Sequence, residues 1–137
     1  MMLQFMLDTN ICIYIARQRP PEVRERFSQL EPGSVGMSFI TYGELLYGAL
    51  RSRQPEVARE RLQELSQLIP VVEAHPDLPD HYAEIRAHLA GRGQPIGNND
   101  LWIAAHVRAE GKILVSNNLR EFERVPGLAT ENWVDSA

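Results

Sequence analysis

Cysteine, lysine and long apolar runs are scarce in this 137-residue chain. Cys12 is the only cysteine, so no disulfide can form within the chain, and a small buried core residue is its ordinary role. No apolar run approaches the ~20 residues of a membrane-spanning helix. The apolar segment at the N-terminus is too short for a signal peptide and lacks the basic residues with which one begins. A cytoplasmic protein with no membrane segment is therefore expected.

Lysine occurs once, at Lys112, so thirteen of the fourteen basic residues are arginine. The net charge of −4 is unlike that of a generally basic nucleic-acid binder. Arginine nevertheless suits phosphate, because its planar fork donates two hydrogen bonds at once. A bias in genomic base composition explains the same excess equally well. Net charge does not exclude an RNA substrate, since part of the acidic total belongs to the candidate site described below.

Short apolar strands alternate with helical segments along the whole chain. The length and the 44% hydrophobic content are those of one globular domain, expected over residues 1–137. Strands are predicted at residues 4–7, 35–38, 71–72, 113–116 and 129–133. Helices are predicted at about 11–16, 23–30, 41–50, 55–69, 78–89 and 98–110. This alternation predicts an α/β fold with a parallel sheet covered on both faces.

Four acidic residues stand where a strand ends or a helix begins: Asp8, Glu44, Asp100 and Glu121. Right-handed crossovers place the carboxyl ends of parallel strands on one edge of the sheet, so these side chains should converge there. Clustered carboxylates repel one another unless a cation binds them, and a divalent metal is the usual answer. The pattern predicts a metal centre able to act on a phosphodiester.

Asp8 and Glu44 also have ordinary structural explanations. Asp8 can cap the first helix, unless Thr9 and Asn10 take over the capping and free it for metal. Glu44 follows Thr41 by three residues, which is the spacing of a capping box and needs no catalysis.

Asp100 and Glu121 have ordinary explanations as well. The dipole of a nearly all-apolar helix favours Asp100 at its start, although Asn98-Asn99 could already cap that helix. Glu121 alone would be taken for a solvated surface acid, and Asn117-Asn118 stand nearer the strand end as neutral oxygen donors. Taken singly, each acid is explained as well or better by its structural role, and the prediction depends on all four together.

Four segments carry a family resemblance, in this order along the chain: FMLDTN at 5–10, SFITYGEL at 38–45, GNNDLWIAAH at 97–106 and SNNLREF at 116–122. Together they resemble the PIN-domain ribonucleases, in particular the VapC-type toxins of toxin–antitoxin pairs. Asp8, Glu44 and Asp100 match the acidic triad of that family. Glu121 matches the fourth acid of a subset that carries Asn-Asn, and Asn98-Asn99 depart from relatives that carry a proline there.

The resemblance implies a three-layer α/β/α sandwich with a central parallel sheet. It implies an endoribonuclease dependent on Mg²⁺, or on Mn²⁺, that blocks translation, with tRNA as the expected substrate. Asp8 and Asp100 would hold the metal, Glu44 would bind metal or orient water, and Glu121 would complete the cluster. A VapB-type antitoxin covering the site, a homodimer and a higher assembly with the antitoxin are also implied. Substrate contacts are expected from Asn117, Asn118 and Arg120.

Three other functions remain open from the sequence. A phosphoacceptor receiver domain also has an acidic pocket, but it needs a lysine at the carboxyl end of a late strand. Lys112 precedes its strand and should lie at the opposite edge. A non-catalytic PIN-like interaction module would keep the fold without the activity. A PIN nuclease of RNA processing would keep the chemistry without being a toxin. His106, inside the apolar helix, is expected to be a packed or hydrogen-bonded residue and not a base.

Overall fold

Five short parallel strands form the centre of the structure, a computed structural model that describes residues 2–135. They are β1 (Phe5–Leu7), β2 (Val35–Ser38), β3 (Val71–Val72), β4 (Ile113–Val115) and β5 (Ala129–Glu131). Their order across the sheet is β3-β2-β1-β4-β5, and every neighbouring pair is parallel. β1 is central, with Phe5 opposite Val35 on one side and Ile113 on the other.

Helices cover both faces of this sheet. They are α1 (Thr9–Arg17), α2 (Pro21–Ser28), α3 (Phe39–Leu50), α4 (Pro55–Leu68), α5 (Leu78–Gly91), α6 (Asn98–Glu110) and the short α7 (Leu119–Phe122). Side chains alternate between two cores: Phe5 and Leu7 pack with α1, α2 and α4, whereas Met6 packs with α5, α6 and α7. The three-layer α/β/α sandwich predicted from the sequence is thus confirmed. Cys12 is buried in the first core, as expected.

Helix α6 is buried on almost every side, and its one buried polar side chain links three parts of the fold. His106 Nδ1 lies 2.7 Å from Ser38 Oγ at the end of β2, and His106 Nε2 lies 2.8 Å from the carbonyl oxygen of Glu73. If Ser38 donates to Nδ1 and Nε2–H donates to Glu73, every polar atom of a neutral histidine is satisfied. The prediction that His106 is a hydrogen-bonded core residue is confirmed. Within residues 2–135 no helix combines the length and the apolar character needed to cross a bilayer.

Helix α3 begins two residues before its predicted start. Ser38 caps it, because Ser38 Oγ accepts a hydrogen bond from the Ile40 backbone N–H at 3.2 Å. Thr41 therefore lies inside the first turn and is fully buried. The predicted capping box between Thr41 and Glu44 is wrong, and Glu44 is free to find partners outside its own helix.

The remaining differences from the predicted elements are small shifts at their ends. Helix α1 runs from Thr9 to Arg17 and α2 stops at Ser28. The last strand ends at Glu131, two residues before the predicted end. Shifts of this size are usual, since helix and strand ends fray.

Candidate active site

The carboxyl ends of β1, β2 and β4 meet at one edge of the sheet, and the four predicted acids lie there. Asp8 directly follows β1, and Glu44 lies in α3, which directly follows β2. Asp100 lies in the first turn of α6, and Glu121 lies in α7, shortly after β4. The structure brings all four close enough to influence one another electrostatically.

Asp8 is buried, and its carboxylate is held by protein donors. Its Oδ1 accepts a hydrogen bond from the Ile11 backbone N–H at 3.0 Å, which makes Asp8 the N-cap of α1. Burial raises the pKa of Asp8. The Ile11 hydrogen bond and the nearby side chain of Ser116, just past β4, lower it in part, and the charge of Glu44 raises it again. The alternative in which Thr9 and Asn10 cap α1 is wrong, because both lie inside its first turn.

Glu44 is held from two neighbouring helices. Thr9 Oγ1 in α1 donates to Glu44 Oε1 at 2.6 Å, and Asn99 Nδ2 in α6 donates to Glu44 Oε2 at 3.3 Å. Both carboxylate oxygens are thereby oriented, and the side chain extends across the site from α3. Its partners lie 35 and 55 residues away along the chain.

Glu121 is tied to the loop that precedes α6. The Gly97 backbone N–H donates to Glu121 Oε1 at 2.9 Å, and Asn118 Nδ2 donates to Glu121 Oε2. A half-buried side chain with both oxygens engaged differs from the freely solvated surface acid that the sequence suggested. These bonds place Glu121 next to Asp100, which it influences more strongly than any other acid does.

Asp100 is the least compensated acid of the four. Burial raises its pKa from 3.8 to about 6, and the charges of Glu121, Glu44 and Asp8 contribute to the rise in that order. The N-cap of α6 is Gly97, which offers no side chain. The prediction that Asn98-Asn99 cap this helix is wrong, since both lie within its first turn.

No positive side chain compensates this acidic edge. Across residues 2–135, none of the four acids forms an ion pair with arginine, lysine or histidine. In the same part of the chain, no three His, Cys, Asp or Glu side chains form a ready-made metal-binding group. The edge therefore holds oxygen donors and concentrated negative charge, but its carboxylates are not gathered into a metal-binding group in this structure.

The three predicted substrate contacts lie beside the acids, and two of them have structural partners. Asn117 Oδ1 accepts a hydrogen bond from Asn132 Nδ2 at 3.2 Å. The Asn118 backbone N–H donates to Ser116 Oγ at 2.9 Å while its side chain holds Glu121. Arg120 is exposed on α7, and its guanidinium has no hydrogen-bond or ion-pair partner among residues 2–135.

Three residues that influence the acids were not predicted as such from the sequence: Thr9, Gly97 and Ser116. Thr9 and Gly97 each donate a hydrogen bond to a glutamate of the site, and Ser116 lowers the pKa of Asp8. The available signal was position, because Thr9 directly follows Asp8 and Gly97 and Ser116 begin the third and fourth motifs.

The matching family model decides the identity of this fold and site. The model of the PIN domain matches residues 5–128. The chain belongs to the PIN-domain family. This PIN domain is 48% identical to ribonuclease VapC2 of Haemophilus influenzae, over 97% of this chain and 100% of the relative. It is 46% identical to the tRNA(fMet)-specific endonuclease VapC of Shigella flexneri, over 96% of this chain and 99% of the relative.

Solved structures agree with this family assignment. The DNA-bound VapBC of Salmonella typhimurium matches this PIN domain with a TM-score of 0.89 at 40% identity, over 96% of this chain and 99% of that one. VapBC2 of Rickettsia felis, bound to a DNA fragment of its promoter, matches with a TM-score of 0.88 at 35% identity, over 98% and 100%. The resemblance to VapC-type PIN domains inferred from the four motifs is confirmed.

Proposed function

We propose that this chain is the toxin of a toxin–antitoxin pair, a ribonuclease that cleaves RNA by metal-dependent hydrolysis of its backbone. Membership among VapC ribonucleases supports the enzyme class. The preferred substrate is tRNA, because a relative of nearly half identical sequence is a tRNA(fMet)-specific endonuclease. The observation that carries the proposal is the set of four acids at one sheet edge, none of which pairs with a basic side chain of residues 2–135.

The residues of this edge fit a hard divalent cation, Mg²⁺ or Mn²⁺. They offer carboxylate and amide oxygens and no sulfur or imidazole, which is the donor set these ions prefer. The raised pKa of Asp100 supports the same choice, because a nearby cation would stabilise its charged form. Asp8 and Asp100 would hold the ion, with Glu44 as a further ligand or as the group that orients water. The ion would polarise the phosphoryl oxygens and make water a better nucleophile.

The protein's own contribution is the positioning of these carboxylates. Thr9 and Asn99 keep Glu44 oriented so that it can accept a hydrogen bond, or a proton, from water approaching the phosphate. Ile11 and Ser116 fix Asp8. Single-stranded loops of RNA are the expected targets, since their backbone can be drawn to such an edge.

The proposed partner is a VapB-type antitoxin that covers the acidic edge. Three of the matching solved structures are VapBC complexes, from Rickettsia felis, Haemophilus influenzae and Salmonella typhimurium, and the first and third of these contain DNA. We also propose a homodimer of this chain and a larger assembly with the antitoxin, both of which light scattering of the separate and mixed proteins would measure.

The deciding experiment incubates the purified protein with total tRNA in Mg²⁺, in Mn²⁺ or in a chelator. Asp8→Asn and Asp100→Asn variants run in parallel, and Asp80→Asn, an exposed acid of α5, is the matched control. Cleavage by the wild type and the control alone supports a metal-dependent active site. Equal cleavage by all four proteins, with or without chelator, would contradict the proposed active site and favour the non-catalytic module.

A separate assay distinguishes a toxin from a nuclease of RNA processing. The chain is expressed alone and together with any short open reading frame found beside its gene. Growth arrest that this neighbour relieves supports the toxin role. Metal-dependent cleavage without growth arrest would favour RNA processing.

A further inference from the structure

A cavity lies on the α5–α6 side of the acidic edge, outside the set of carboxylates. Its volume is about 310 Å³, in the lower part of the ~300–1,000 Å³ range of small-molecule sites. Leu89, Ala90, Ile96 and Leu101 give it apolar walls. Arg86 and Asn98 supply its polar groups, so the cavity combines flat apolar contact with a few hydrogen-bonding atoms.

The loop before α6 connects this cavity with the acids. Pro95, Ile96 and Asn98 line the cavity, and between them Gly97 donates its backbone N–H to Glu121. Arg124 Nη1, from beyond α7, donates to the Pro95 carbonyl oxygen at 3.4 Å. One loop thus has the cavity on one side and the acidic edge on the other.

Asn98 has no structural role that accounts for its side chain. It does not cap α6, and among residues 2–135 its amide has no hydrogen-bond partner. Its neighbour Asn99 differs, because it donates to Glu44. Asn98 therefore presents a free donor and a free acceptor in the cavity, two residues from Asp100.

The cationic group of the cavity is held in place. Arg86 Nη1 donates to Tyr82 Oη at 2.7 Å, and the guanidinium lies 5.8 Å from the centre of the Tyr82 ring. Tyr82 in turn stacks on Trp102 of α6, with ring centres 3.6 Å apart. A guanidinium held this way is available to a phosphate or to the face of a base.

We propose that this cavity receives a nucleobase of the RNA next to the bond that is cleaved, and that Asn98 reads its edge. The inference rests on the proposed ribonuclease function. The apolar walls would contact the faces of the base, and the amide could donate to and accept from its edge, as in recognition of single-stranded RNA. The positive charge of Arg86 complements the negative RNA backbone. An apolar peptide segment would have no use for this charge, so RNA is the favoured occupant.

The first test fills the cavity. Ala90→Trp places a ring in it, whereas Ala87→Trp adds the same ring to an exposed position of α5 that does not line the cavity. Exclusion of the base from the cavity predicts that Ala90→Trp lowers kcat/KM on tRNA by about tenfold or more. Ala87→Trp should leave it unchanged, and circular dichroism checks that both variants fold.

The second test asks whether Asn98 selects the base. Four RNA hexamers that differ only in the base on one side of the cleaved bond are compared with wild type, Asn98→Ala and Asn98→Asp. The wild type should discriminate among the four, Asn98→Ala should cleave them more evenly, and Asn98→Asp, which can only accept, should change the preference. Identical preferences in all three proteins would overturn the assignment.

Binding of the same hexamers in chelator separates this inference from the proposed function. If no protein cleaves RNA but Ala90→Trp weakens hexamer binding, the ribonuclease proposal fails and the base cavity stands. If the wild type cleaves and Ala90→Trp neither binds nor cleaves more weakly than Ala87→Trp, the cavity inference fails. The inference would also be overturned if Ala90→Trp bound a protein partner more weakly but bound and cleaved RNA as the wild type does. The cavity would then be a peptide site.

Discussion

The acidic edge has two halves of similar construction, and they differ in how their aspartates are compensated. The α1–α3 half contains Asp8 and Glu44, and the α6–α7 half contains Asp100 and Glu121. In each half a protein donor engages each oxygen of the glutamate. Asp8 receives a hydrogen bond from the Ile11 backbone N–H, and the Ser116 side chain also lowers its pKa. Asp100 receives no comparable support among residues 2–135, and its largest neighbouring charge is another acid.

This difference assigns separate tasks to the halves. The α1–α3 half is already organised by the protein, so its geometry should change little when a cation binds. The α6–α7 half contains the charge that most needs compensation, so a cation should stabilise it most. Four predictions test this division, from the largest expected effect to the smallest.

Asp8→Asn and Asp100→Asn should each reduce RNA cleavage by more than about 100-fold, because loss of outer partners of a metal alone costs ~10–100-fold. Asparagine caps helices as well as aspartate does, so Asp8→Asn should keep α1 intact. Cleavage of labelled tRNA in Mg²⁺ measures the effect, with Asp80→Asn as control. If either variant cleaves tRNA within a few fold of the wild-type rate, the two halves do not form one active site.

Thr9→Val should reduce cleavage by about 10–100-fold, because Glu44 loses its shortest hydrogen bond while the shape of residue 9 is kept. Thr9→Ser retains the hydroxyl and should retain activity. The measurement is kcat/KM for both variants together with their thermal unfolding. Equal losses in Val and Ser variants would show that the hydroxyl does not organise the α1–α3 half.

Without metal, the charge of Asp100 should make the folded protein less stable as pH rises from about 4 to about 6. The folded protein holds the proton of Asp100 up to about pH 6, whereas the unfolded chain releases it near 3.8, so the folded state binds more protons in this window. Asp8 acts in the same direction. Since Asp100 is half-exposed, screening limits its contribution to about 1–2 kcal/mol.

Urea unfolding in a chelator at several pH values measures this slope in wild type and Asp100→Asn. The variant should show a shallower decline, and added Mg²⁺ should stabilise the wild type more at pH 7 than at pH 5. His106 acts in the opposite direction in both proteins, because burial lowers its pKa. The test is therefore the difference between the two curves, and equal slopes in wild type and Asp100→Asn would contradict the assignment of uncompensated charge to the α6–α7 half.

Arg120→Ala should have the smallest effect, a modest loss of RNA affinity. One phosphate contact to single-stranded RNA changes the slope of log K against log salt by about 0.7. Arg17, which shares a cleft with Thr9 and Glu44, provides the matched test on the α1–α3 half. Anisotropy titrations of Arg120→Ala and Arg17→Ala at several salt concentrations show along which half the RNA backbone runs. Unchanged slopes in both variants would show that neither arginine contacts an RNA phosphate.

The sequence predicted the sheet and the convergence of the acids because both follow from short-range patterns. Runs such as residues 4–7 alternate with helices, and parallel strands then place Asp8, Glu44 and Asp100 on one edge whatever the loops do. Asn98 and Thr41 show where this reasoning stops. Their capping roles were inferred from local spacing, but Gly97 and Ser38 already begin those helices.

The partners of the acids could not be inferred, because they depend on which strands are neighbours. Thr9 reaches Glu44 only because β1 lies beside β2, and Gly97 reaches Glu121 only because α6 and α7 flank the end of β4. Strand order is a property of the whole sheet, and no window of residues encodes it. The same holds for the raised pKa of Asp100, which depends on three charges from other elements.

The buried hydrogen bond between Ser38 and His106 should constrain which residues occur at these two positions in related proteins. His106 lies in the helix of Asp100, and Ser38 begins the helix of Glu44, so each side chain satisfies the other beneath the site. Loss of one partner leaves a buried polar atom of the other unpaired, at about 1–3 kcal/mol. The two positions should therefore covary, changing together among homologues and seldom one at a time.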